Sequence, residues 1–69
     1  MKNKTITDII IELETLKELF AEHYHEELEK AILLKGTEQT EKIKQNEWDR
    51  AYLIGKITGI NVVLSMLKD

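Results

Sequence analysis

Six consecutive residues, Glu22-His23-Tyr24-His25-Glu26-Glu27, hold the densest set of acid, base and metal-ligand groups in the chain. Within them, Glu22-x-x-His25 has the spacing with which di-iron bundles hold their metals. There both side chains project inward between helices, and further carboxylates arrive from facing helices. On a helical projection Glu18, Glu22, His25, Glu26 and Glu29 instead lie roughly 120° to 220° from the centre of their helix's apolar arc, on the solvent side. The inward positions of the second helical segment hold no carboxylate. This is the pattern of a solvated acidic face with contacts between residues four apart, so no metal and no other cofactor is expected. His23, at the edge of the arc, reads as a boundary residue without function, the alternative being an interfacial residue with a pH-sensitive charge. Ser65 is the sole serine and cysteine is absent, which leaves no nucleophile with a neighbouring base. Gly55 and Gly59 fall inside a helical pattern, where they cannot form a phosphate-cradling loop. The chain is expected to be non-enzymatic, with no catalytic residue.

What remains for these acids is recognition. Between Thr5 and Leu34 stand eight acids and two lysines, a net charge of −6, whereas from Lys35 onward six bases nearly cancel five acids. Direct nucleic-acid binding requires a basic stripe, and none is present. Glu18, Glu22, His25, Glu26 and Glu29 are therefore the candidate face toward a protein partner. Mimicry of nucleic acid toward a DNA-binding protein is an alternative use of the same charge.

Two helices must carry these residues. The chain has 69 residues, no proline and no glycine before Gly36, and residues 1–69 read as one domain. Met1 to Lys4 is expected to be a frayed end. Thr5-x-x-Asp8 matches a capping box in its acidic variant. Ile6, Ile9, Ile10, Leu13, Leu16, Phe20, Tyr24, Leu28, Ala31 and Leu34 then recur at steps of three and four within an arc of about 120°. A strict heptad would put Glu27 and Lys30 in the seam, so the packing period is expected to tend toward 3.6 after Phe20, as in a bundle. Gly36 ends the helix, with Lys35 in its last turn, and Thr37 or Thr40 caps the next. The expected architecture is all-α: an antiparallel hairpin with helices at about 5–35 and 38–68.

The second helix carries apolar residues on two separate stripes. One is Trp48, Tyr52, Gly55, Gly59, Val62 and Met66; the other is Leu53, Ile57, Ile60, Leu64 and Leu67. They point roughly 140° apart, so one neighbouring helix cannot cover both. With Ile11 and Leu19 off the main arc of helix one, the surplus collects at the open end of the hairpin. A core of this size rarely supplies more than about 3–5 kcal/mol unreinforced. The expected solution is a homodimer of two hairpins in a four-helix bundle. Trp48, Tyr52, Gly55, Ile57, Gly59, Ile60, Leu64 and Leu67 are the candidate residues for self-association or helix crossing. Ala51-x-x-x-Gly55-x-x-x-Gly59 forms a groove for the closest crossing, with helix one or across the dimer. Trp48 and Tyr52 either anchor an interface or cap the hairpin's own core. Asn61, between the stripes, either specifies register in a buried seam or is exposed.

The start of the chain has no long apolar run and acquires an acid at Asp8, so no signal peptide is expected. The most apolar window, Ala51 to Leu67, contains Lys56 and Asn61. It sits at the lower length limit for a membrane span, and a central lysine costs about 2.5–3.5 kcal/mol there. A membrane-associated protein is thus a further alternative, and a cytoplasmic location is the expectation. A Lys-, Ile-, Asn- and Glu-rich chain with nine lysines to one arginine resembles the small orphan helical proteins of phages and mobile elements from low-GC Gram-positive bacteria. That resemblance implies a modulator or inhibitor of a host protein; it carries no motif and assigns no residue a role.

Overall fold

The computed structural model describes residues 4–69, so the expected frayed end Met1 to Lys4 lies, apart from Lys4, outside the described residues. Two α-helices of 29 residues each, α1 (Ile6–Leu34) and α2 (Thr40–Lys68), form an antiparallel hairpin. Its extents are 52 × 22 × 16 Å, set by helices of about 43 Å.

The start of α1 is the capping box read from Thr5-x-x-Asp8. The Thr5 hydroxyl accepts from the Asp8 N–H at 3.1 Å, and the Asp8 carboxylate accepts from the Thr5 N–H at 3.3 Å. At the other end Lys35 lies just past the last turn and donates its N–H to the carbonyls of Ala31 and Ile32. Gly36 follows at φ +80°, the left-handed conformation that glycine adopts without a Cβ penalty. Neither expected threonine caps α2. The Thr37 hydroxyl donates to the Leu34 carbonyl at 2.7 Å, finishing α1 instead, and Gln39 precedes α2 with no side-chain cap.

Each helix presents a strict three-four seam to the other. On α1 it runs Ile10, Leu13, Lys17, Phe20, Tyr24, Glu27, Ala31, Leu34; on α2 it runs Ile43, Asn46, Arg50, Leu53, Ile57, Ile60, Leu64, Leu67. Every one of these residues is half-buried or buried. This corrects the expected drift to a 3.6 period. Glu27 does enter the seam, while Lys30 stays outside with its ammonium on the Glu27 carboxylate at 3.0 Å. Ile6, Leu16 and Leu28, expected on the inner arc, lie exposed. The ends opposite the turn are joined by Lys68 to Glu14 at 3.2 Å. The buried apolar core is Leu53 and Leu64, 7% and 5% exposed.

Candidate functional site

Three features of this hairpin have the chemistry to matter. The first is a polar layer near the turn. Asn46, 5% exposed, is the one buried polar residue among those described. Its amide donates to the Glu27 carbonyl and to the Glu27 carboxylate, both at 2.8 Å, and its own oxygen accepts from Arg50 Nε at 2.9 Å. The Lys30 ammonium beside Glu27 holds that carboxyl below its usual range. Partial burial opposes this, while Asn46 and Arg50 add to it. Glu27 in turn holds the Lys30 ammonium above its ordinary value. The layer is fully satisfied, as a buried polar cluster must be if it is not to destabilise the fold. Open grooves of about 330 and 480 Å³ flank it, one beside Lys30, Leu33 and Gln45, the other beside Leu28, Ile32 and Glu47.

Of the two readings of Asn61 the exposed one holds, and the amide buried in the seam is Asn46, which the sequence reading did not single out. A signal was present. Stepping back from Leu53 by three and four lands on Arg50, Asn46 and Ile43, so a polar residue had to lie in the seam.

The second feature is the acidic outer face of α1. Glu18, Glu22, His25, Glu26 and Glu29 are all exposed there. His25 Nε2 lies 3.2 Å from Glu29. Glu22 and His25 face outward, and among the described residues no three His, Asp or Glu side chains converge on a common point. His23 is exposed and, with Glu26, Asp49 and Tyr52, lines a shallow groove on one side of the seam.

The third feature is apolar surface left in solvent. The eight residues nominated for self-association or crossing divide in two. Ile57, Ile60, Leu64 and Leu67 face α1 and form the hairpin's own seam, whereas Trp48, Tyr52, Gly55 and Gly59 face outward. Trp48 is 77% exposed, so it does not cap the hairpin core, and neither does Tyr52, whose ring lies 5.1 Å beneath the Lys56 ammonium. A Cβ built on Gly55 or Gly59 meets nothing within 4 Å, so the glycine groove is not the crossing with α1. Val62 and Met66 continue the outward stripe, and Ile11, Leu16, Leu19, Ile32 and Leu33 are exposed on α1. By length and composition alone, α2 is a helix able to cross a membrane.

No family model, characterised protein or solved structure matches the chain.

Proposed function

We propose that this chain is a small non-enzymatic protein–protein interaction module of the cytoplasm. It assembles as a homodimer of hairpins into a four-helix bundle, and in that form modulates a partner protein. One observation carries the reading: among the described residues two apolar side chains are buried while thirteen large ones are exposed. The accessible surface is 5830 Å², against about 4,500 Å² for a compact monomer of this mass. The Cα radius of gyration is 16.0 Å, against about 11 Å for a compact chain of this length. Excess apolar surface on such a scale marks interaction sites. The resemblance to small phage and mobile-element proteins supports a modulator or inhibitor of a host protein as the role.

Sedimentation equilibrium of the full chain without detergent tests this reading. A dimer or higher assembly at tens of micromolar is expected. A well-folded monomer would overturn self-association, and a chain that stays in solution only with detergent would favour membrane association through α2.

The exposed face of Glu18, Glu22, Glu26 and Glu29 supports a second reading, in which the partner is a basic, nucleic-acid-binding protein occupied by mimicry. Binding of such a partner would weaken steeply with salt, whereas docking on apolar surface would not.

A further inference from the structure

We propose that a second copy of this chain covers the outer stripe of α2, with the two α2 helices antiparallel about a twofold axis beside Ile57. This rests on the self-association put forward above and adds its face, direction and register.

The stripe is Trp48, Tyr52, Gly55, Gly59, Val62 and Met66, at successive steps of four, three, four, three and four. It is a second heptad seam on the helix whose first seam faces α1, and its side chains lie open to solvent. Read from either end, the stripe descends from its largest side chain to glycine at the centre, although the Trp48 end is the bulkier. Trp48 and Met66 are outermost, Tyr52 and Val62 come next, and Gly55 and Gly59 stand at the centre. Turned end for end about residue 57, Trp48 falls opposite Met66, Tyr52 opposite Val62, and Gly55 opposite Gly59. A twofold interface requires this reciprocity, in which one residue meets a second and the second meets the first.

The antiparallel direction follows from the layers. Opposed this way, the large side chains are shared equally between the two ends, and the helices cross at the glycines with even spacing on either side. Parallel pairing would set Trp48 and Tyr52 against their own copies at one end. The lighter Val62 and Met66 would meet at the other, wedging two rigid helices apart. At the waist, the open space beside Gly55 and Gly59 lets a second backbone approach closely. Beside the stripe, Ala51, Thr58 and Ser65 form a row of small side chains.

The area is sufficient. Trp48, Tyr52, Val62 and Met66 together expose about 500 Å² per copy. With the glycine backbone and flanking residues, two copies would bury on the order of 1,200–1,600 Å², the size of a stable specific interface.

A charge swap in the full chain tests face and direction together. Tyr52→Lys and Val62→Asp, each alone, are expected to raise the dimer dissociation constant at least tenfold by sedimentation equilibrium. In the double variant the introduced lysine of each copy faces the introduced aspartate of the other, twice per dimer. Its dissociation constant should return to within about threefold of the unmodified protein. Singles that dimerise normally would overturn the proposed face while leaving self-association intact. A double variant weaker than either single would overturn the antiparallel direction. An unmodified chain that sediments as a folded monomer would remove the dimer itself. Should a variant fail to fold, a spin label on Lys44→Cys, one turn beyond the Trp48 end of the stripe, gives a second measurement. The proposed axis sets two labels about 40 Å apart, from thirteen residues of 1.5 Å on each side, and a parallel pair would bring them within about 20 Å.

Discussion

Replacing Asn46 by aspartate changes one NH₂ group to an oxygen at the most constrained polar position of the hairpin. The Asn46 amide now bridges the Glu27 carbonyl and carboxylate at 2.8 Å each. In Asn46→Asp both donors are lost, and a second carboxylate faces the first. Two like charges at that distance repel by about 6 kcal/mol at an effective dielectric of 20. Rotation of either side chain, and the positive charge of Lys30 and Arg50, reduce this to about 2–3 kcal/mol net. That is most of what a small core supplies. It corresponds to a loss of roughly 10–20 °C in Tm for a chain of this size. The two carboxylates share a proton more readily as pH falls, so the introduced carboxyl titrates above its unfolded value. Its penalty is complete above that raised value and fades below it. Thermal melts followed by circular dichroism, at one fixed protein concentration, should show the full gap at pH 7 and less than half of it at pH 4. Equal melting temperatures at pH 7, or a gap that does not change with pH, would refute the assignment of Asn46 as a buried donor to Glu27.

Three further outcomes are expected. Thr5→Ala removes the capping hydroxyl and should cost about 1 kcal/mol, with the loss of amide-exchange protection confined to the first turn of α1. Gly36→Ala forces a Cβ into φ +80° and should cost about 1–2 kcal/mol, read as a shift in denaturation midpoint with unchanged slope. In the unmodified chain, Glu27 has its pKa lowered from an ordinary 4.5. Its contribution is therefore whole above that value and lost as pH falls through the depressed one. Lys30 has its pKa raised from an ordinary 10.5, so its contribution is whole below that value and lost as pH rises beyond it. Glu27→Gln should flatten the acid limb of a stability–pH profile while leaving the neutral plateau measurably lower.

The elements were legible because their signals are local. Thr5 and Asp8 close a box within three residues, Gly36 supplies its own left-handed turn, and steps of three and four declare two helices. What was misread depended on distant partners. Glu27 counted against a heptad because a carboxylate is costly in a seam; the groups that make it tolerable include Asn46, nineteen residues away. Thr37 had a plausible role at the start of α2 and an alternative at the end of α1, and only the path of the turn decides between them. For α2, both stripes were visible, but apolarity does not say which one meets α1. Continuity could have decided it, since only the Leu53–Leu67 stripe extends through Arg50, Asn46 and Ile43 to the turn. The acidic face lies in solvent as its angular position implied, because Glu18, Glu22, His25, Glu26 and Glu29 all fall off the three-four seam of α1.

A core of Leu53 and Leu64 has a calorimetric consequence. The sharpness of a thermal transition depends on the enthalpy taken up in one step when a domain opens, and that enthalpy, like the rise in heat capacity, grows with the surface that folding removes from water. Two helices joined along a thin seam take up little in one step, so an isolated hairpin would melt gradually from its ends, across tens of degrees, much as long helical peptides do. A steep sigmoidal melt from this chain would mean that far more surface is opened in one step than the hairpin covers by itself. The width of the transition is thus a gauge of how much of the molecule's cooperativity is supplied from beyond its own two helices.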